Sequence, residues 1–211
     1  MTITKTTIIT ALNEELKTSE STSTRSDRMN RAIRAGLRWL SEQARWSVLH
    51  TSAESTTTSG TQYVDYPANY RLPDKITVND GTYESKALSR ITFAKWCFNR
   101  EDETSGDYDE PENYAIRRRR FYLDPIPDDN GGSNYTVTIW YWRYHPDQTS
   151  ILFGEDFEQA VNYAVIAAYL EGKGRHSKAQ YYRALAATEV ALLRPGHSDK
   201  IERFTKYRDM G

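Results

Sequence analysis

Cysteine is nearly absent from this sequence of 211 residues. Cys97 stands alone, so no disulfide can close within the chain. A single thiol with no flanking nucleophile motif is expected to be buried and inert, in a chain made in a reducing compartment. Histidine is scarce too. His50, His145, His176 and His197 stand far apart, each at an expected boundary or loop, with no Cys or carboxylate at metal-ligand spacing. No metal site follows from them. The longest apolar run, Ala164 to Leu170, is far too short to span a bilayer, and Met1-Thr2-Ile3-Thr4-Lys5 lacks the basic start of a signal peptide. A soluble chain with no membrane contact is the expectation. Charge of one sign is lacking as well: 28 Lys and Arg face 29 Asp and Glu, for a net charge of -1. That balance argues against a surface that grips nucleic acid as a whole and leaves room only for local patches.

Motifs of catalysis are missing in the same way. Gly131-Gly132 sits in an expected turn and leads into no helix, so there is no phosphate-binding loop. No Gly-x-Ser-x-Gly elbow occurs. Asp107, Asp109 and Glu110 lack the glycine and terminal glutamate spacing of a calcium loop. The sequence therefore reads as that of a protein that is not an enzyme, with no catalytic, cofactor-binding or metal residues and no cofactor.

What it does have is rings: fifteen tyrosines and five tryptophans. Such side chains suit cores and equally suit interfaces, where the ring is buried while the polar tip finds a partner. Its helical signals lie at the two ends. Thr6 or Thr7 can cap a helix over Ile8 to Lys17, and Thr18 to Thr24 reads as a solvated connector. From Ser26-Asp27 a strong helix carries Met29, Ile33, Leu37, Leu40, Ala44 and Val48 at spacings of three or four, with Trp39 and Trp46 beside them. Its other face bears Arg28, Arg31, Arg34, Arg38 and Arg45, a ridge that suits either solvent or a polyanionic partner. Near the other end, Phe157, Val161, Ala164, Val165 and Ala168 make one apolar stripe, with Glu158, Gln159 and Asn162 off it. After a Gly172-Lys173-Gly174 hinge, a second helix from Ser177 to Leu193 shows Tyr181, Leu185, Thr188 and Leu192 on one face and alanines elsewhere.

The middle of the chain alternates instead. Thr51 to Thr61 reads as a loop or hairpin tip, Gln62 to Tyr66 and Lys75 to Val78 as strands, and Asn79-Asp80-Gly81 as a turn into Thr82-Tyr83-Glu84. Leu88 to Phe98 reads as a short helix, and the acidic Glu101 to Glu112 as a mobile loop. Tyr114-Ala115-Ile116 and Phe121-Tyr122-Leu123 flank Arg117-Arg118-Arg119-Arg120, the pattern of a hairpin turning at Arg118-Arg119. After a turn over Asp128 to Asn134, Tyr135 to Tyr144 alternates as a strand with aromatics on both faces, which fits either a sheet covered by a neighbouring subunit or a two-layer sandwich. The expected class is α+β: a helical bundle built from residues 1–48 and 151–193, an inserted β-rich subdomain over 49–150, and a C-terminal arm over 194–211.

Five stretches give this order a likeness. They are Ile8 to Leu16, Leu37 to Gln43, Tyr66-Pro67-Ala68-Asn69-Tyr70-Arg71-Leu72-Pro73, the run from Asn113-Tyr114-Ala115-Ile116 through Phe121 to Pro127, and Phe157 to Val161 with Ala179-Gln180-Tyr181-Tyr182 after it. In these the chain resembles the head-to-tail adaptor, or head completion, proteins of tailed bacteriophages over most of its length. The arginine quartet replaces the glycine-rich or tryptophan-bearing turn expected at that hairpin. The resemblance implies a structural virion protein at the head-tail interface, assembled in the host cytoplasm. It implies a ring of twelve copies under the portal protein that extends the DNA channel and offers a platform to a tail or nozzle protein. DNA would pass without sequence-specific binding. Ile201, Arg203, Phe204, Lys206, Tyr207 and Arg208 of the arm would bind the portal, while Arg117 to Arg120, Trp140 and Trp142 would contact a neighbouring subunit or DNA. Two other readings stay open. One is a nucleic-acid-binding module with the quartet as phosphate clamp and Trp140, Trp142 and Tyr144 as stacking platforms; the other is a connector one layer further down the same assembly.

Overall fold

Helix α1 (Lys5–Leu16) starts where Thr4 ends the extended chain: the Thr7 amide donates to Thr4 Oγ1 at 3.2 Å and the Thr4 amide donates back to Thr7 Oγ1 at 2.9 Å. This reciprocal cap satisfies two otherwise unpaired donors and sets the start three residues before Ile8. The computed structural model describes residues 3–18, 26–81, 85–101, 108–128, 134–146 and 151–197. Most of the Thr18 to Thr24 connector, the Thr82-Tyr83-Glu84 segment, residues 102–107 of the acidic loop, the glycines of the 128–134 turn and all six named arm residues lie outside them. The chain is a mixed α+β protein with two compact units, one formed by Met1–His50 with Arg143–Gly211 and the other by Thr51–Trp142.

In the first unit, α2 (Ser26–Gln43) buries Met29, Ala32, Ile33, Leu37 and Leu40, as its periodicity requires. It stops at Gln43, short of the expected Val48. Ser47–Leu49 forms a 3-10 turn, Val48 faces outward, and Trp46 instead fills the core, its Nε1–H donating to Leu40 O at 2.7 Å and its ring meeting Phe157 edge-on at 5.1 Å. Helix α4 (Glu158–Glu171) contacts α1, α2 and α5 (His176–His197). With neighbours on several sides it is buried around most of its circumference, including Asn162, which the single-stripe reading left outside. Gly174 takes the left-handed conformation (φ 72°) between α4 and α5.

Helix α5 departs from expectation in two ways. It begins at His176 and continues through Pro195 to His197, and it buries Ala179, Tyr182, Ala186 and Val190. Of the expected face only Leu185 packs against the core; Tyr181 is 60% and Leu192 71% exposed. His145, expected at the surface, is also buried. Its amide donates to Ser41 Oγ and its Nε2 accepts from the Leu152 amide at 2.8 Å, so the residue, through backbone and ring together, ties the loop before α4 to α2.

Buried Tyr182 donates its hydroxyl to Glu15 Oε1 at 2.7 Å, and burial, reinforced by that carboxylate, pushes its pKa up to about 12. An unfolded tyrosine titrates near 10, so this pairing stabilises fully below pH ~10 and is lost as pH rises from ~10 towards ~12. Tyr182→Phe is expected to lose about 1 kcal/mol at neutral pH, the net worth of one hydrogen bond. Denaturant titrations at pH 8 and above check the sign: the wild type should lose about 2 kcal/mol relative to the variant over that alkaline window. Parallel curves for the two proteins would contradict it.

The second unit is a two-layer sandwich. One sheet runs in the order β1 (His50–Thr56), β8 (Thr136–Arg143), β3 (Tyr70–Asn79), β4 (Lys86–Ala87); the other in the order β2 (Tyr63–Asp65), β7 (Arg120–Asp124), β6 (Asn113–Arg117), β5 (Ser89–Arg90). Val137, Ile139 and Tyr141 from one sheet and Phe121, Leu123 and Tyr114 from the other share a single buried cluster. Strand β1 falls where a loop was expected. Its Ser and Thr side chains alternate between half-buried and exposed, so it carries no apolar signal of its own. The expected Leu88 to Phe98 helix divides into β5, parallel to β6, and the short α3 (Phe93–Phe98), whose N-cap Thr92 accepts from the Lys95 amide at 3.1 Å. On α3 it is Trp96 that is buried, while Phe98 and Cys97 are exposed, which corrects the expectation of a buried thiol.

Candidate functional site: a basic hairpin tip on an aromatic base

Strands β6 and β7 pair antiparallel from Asn113↔Asp124 to Arg117↔Arg120, so Arg118 and Arg119 alone make the turn. A two-residue hairpin matches the twist of its strands when both turn residues have positive φ, and here these are 49° and 63°. Asn and Gly adopt that conformation readily, whereas a longer side chain there costs about 1 kcal/mol. Nothing in the local fold asks for arginine. The Tyr66 amide donates to Arg119 O at 3.1 Å and fixes the turn from one side.

The four arginines do different work. Arg117 lies over the Phe93 ring at 4.3 Å. Arg120 lies over the Tyr63 ring at 3.9 Å and donates through Nε to Asp65 Oδ1 at 3.0 Å; that bond, with nearby charge, outweighs desolvation and raises its pKa further. These two brace the hairpin by cation–π contact. Arg118 and Arg119 are exposed at the apex. Arg119 and Arg90 act together on the Tyr66 phenol, favouring its ionised form against the larger effect of burial, which raises the pKa of Tyr66, as it does those of Tyr70 and Tyr114. The tip thus carries four guanidinium groups and the Asp65 carboxylate, and Arg90, on β5 opposite Tyr114, adds its charge to the field at Tyr66.

Below the tip stands a layer of rings. Phe93 stacks on Trp96 at 5.3 Å, both meet Tyr122 edge-on at 5.1 and 4.9 Å, and Tyr122 in turn meets Tyr63 at 5.6 Å. Trp96 Nε1–H and Arg100 Nη2 both donate to Leu123 O, at 2.8 and 3.0 Å. Much of the surplus of aromatics thus goes into holding this hairpin rigid. The ring count in the sequence signalled interfaces, but it did not show which rings the chain would keep for itself.

The other expected contact residues are not gathered at the tip. Trp142 is 2% exposed and offers no surface to a subunit or a base. Trp140 is half-buried on β8 with Lys75 Nζ 5.2 Å from its ring centroid, and Tyr144, in the helical unit, lies under Arg38 at 4.3 Å. The arm residues Ile201, Arg203, Phe204, Lys206, Tyr207 and Arg208 lie outside the described residues. Among the described residues no group of three or more His, Cys, Asp or Glu is placed to hold a metal ion, and no helix is long and apolar enough to cross a membrane.

Replacing Arg118 by Asn and Arg119 by Gly is expected to stabilise the hairpin by about 1 to 2 kcal/mol, because both residues then suit the turn. Thermal unfolding checks this: an unchanged or lower midpoint would show that the arginines carry no backbone strain.

The described residues thus present a charged hairpin tip on one unit and an exposed, ring-bearing helix face on the other. No curated protein matches the chain. It belongs to the SU10 adaptor protein family, whose sequence profile matches residues 3–204. The chain is therefore a structural adaptor of a phage particle, associated with portal and tail.

Proposed function

We propose that copies of this chain, twelve in number, form a closed ring beneath the portal, where they extend the DNA channel and carry the tail or nozzle protein. The observation that carries the reading is the family match along nearly the whole chain. A ring is built from heterologous contacts, so each subunit needs two different surfaces beyond its own core. The outward face of α5, with Tyr181 and Leu192 among alanines, supplies one, and the hairpin tip with Arg118 and Arg119 supplies another. Segment 194–211, with Ile201, Phe204 and Tyr207 as apolar anchors and Arg203, Lys206 and Arg208 as cations, reaches the portal; its first residues, through His197, still belong to α5. Net charge near zero suits a channel wall past which DNA slides, since many fixed cations would hold it. The nucleic-acid-binding alternative keeps the exposed apex arginines and half-buried Trp140, because Trp142 is buried and Tyr144 lies under Arg38.

Phage carrying an early stop codon in this reading frame are expected to accumulate heads and tails that do not join. Adding the purified chain to such a lysate should restore infectious particles, and the Arg118→Asn, Arg119→Gly protein should restore fewer although it is more stable. Joined particles from the stop mutant alone would overturn the reading.

A further inference from the structure

On the helical unit, between the first turns of α2 and the last turn of α4, lies a cavity of about 370 Å³ lined by Arg28, Arg31, Ala32, Ala35, Ala168, Tyr169 and Gly172. Its lining divides by chemistry. Ala32, Ala35, Ala168 and Gly172 are too short to fill the space between the helices, and with the Tyr169 ring they leave an apolar recess. The rim is cationic. Arg28 and Arg31 are exposed at i and i+3 of α2, and Lys173 brings a further ammonium group 5.2 Å from the centroid of the Tyr169 ring. Among the described residues no carboxylate forms an ion pair with Arg28 or Arg31, and Glu171 beside the recess is engaged by Arg183 at 2.8 Å.

We propose that this groove docks an acidic segment of a partner protein through one large apolar side chain, aromatic by preference. The volume sits at the small end of ligand pockets, ~300–1,000 Å³, so it takes a single side chain and not a folded element. A ring entering it would meet the alanine floor and Tyr169, and carboxylates on either side of that ring would meet the guanidinium forks of Arg28 and Arg31. Duplex DNA fits less well: its backbone would satisfy the rim but has no apolar group for the recess. The basic ridge legible on α2 is thereby divided, since Arg38 is occupied by Glu42 at 3.6 Å and by the ring of Tyr144.

The test uses the full chain with its alanine methyl groups isotope-labelled, titrated with a short synthetic peptide holding one phenylalanine between glutamates. Saturable shifts of the Ala32, Ala35 and Ala168 signals are expected. Binding should weaken at least about tenfold when the peptide's phenylalanine becomes serine, and again in Arg28→Glu, Arg31→Glu. Ala35→Leu, at an exposed position that leaves the rim charge intact, should also weaken it by occluding the recess. No saturable shift, an equal response to the serine peptide, or equal shifts from a short DNA duplex at matched charge would each overturn the proposal.

Discussion

Asp124→Ala is expected to destabilise the protein by about 3 to 5 kcal/mol, the cost of stranding one member of a buried ion pair. The Asp124 and Arg100 side chains are 9% and 12% exposed, and Arg100 Nη2 donates to Asp124 Oδ1 at 2.7 Å. Oδ2 accepts from Asn99 Nδ2 at 3.0 Å and from Asn113 Nδ2 at 3.5 Å, so one carboxylate joins the end of α3, the start of β6 and the end of β7. Burial lowers the pKa of Arg100 against the opposing pull of Asp124. An arginine does not deprotonate in response. Without its partner it remains a cation in poor solvent, under the hairpin that carries the basic tip. Asp124→Asn keeps the shape and one acceptor and should cost only about 1 to 3 kcal/mol. Urea midpoints of the two variants measure the difference; an alanine variant within about 0.5 kcal/mol of wild type, the range of ordinary surface changes, would show that the pair contributes nothing.

Gly36→Ala carries the second large effect. A Cβ built on Gly36 would stand 2.8 Å from the Val165 amide nitrogen and 2.9 Å from its Cα. Backbone atoms cannot swing aside as a side-chain end can, so α2 and α4 must separate and lose packing along their shared core. Overpacking of this kind costs about 1 to 3 kcal/mol, partly offset by the ~1 kcal/mol that alanine gains over glycine in a helix. A net loss of about 1 kcal/mol, and up to about 2, is expected, and Gly36→Val should lose more. Gly154→Ala serves as control: its Cβ would meet nothing within 4 Å, and a change within about 0.5 kcal/mol is expected. Thermal unfolding of the three variants decides. If Gly36→Ala matched or exceeded the wild type, the helices would be shown to yield freely at this crossing.

The elements legible in the sequence were those whose side chains repeat the period of their backbone. Val137, Ile139 and Tyr141 alternate on β8, and two apolar triplets frame the turn at Arg118-Arg119 with the register observed. Helix α2 was legible from Met29 to Leu40, but Gly36, a costly residue in a helix interior and hence a sign of close approach, gave no hydrophobic signal. On α5 the period was clear and its phase was not. Tyr181 and Tyr182 are adjacent and alanines occupy every face, so which tyrosine turns inward is settled by α4 and Glu15, far away in sequence. The Asp124–Arg100 pair was illegible for a related reason: 24 residues separate its members, and between them runs a segment that composition assigns to a loop. At the candidate site the quartet stood out from the start. Its division into two bracing and two exposed arginines required the positions of Phe93, Tyr63 and Asp65.

Electron cryo-microscopy of the purified chain mixed with the portal assembly of the same phage tests the central claim most directly. The account predicts a closed ring of this chain on the tail-facing side of the portal, coaxial with its channel, with α5 of each copy against the next. Portal particles bare of this chain, or the chain bound to DNA while the portal stays unoccupied, would contradict it.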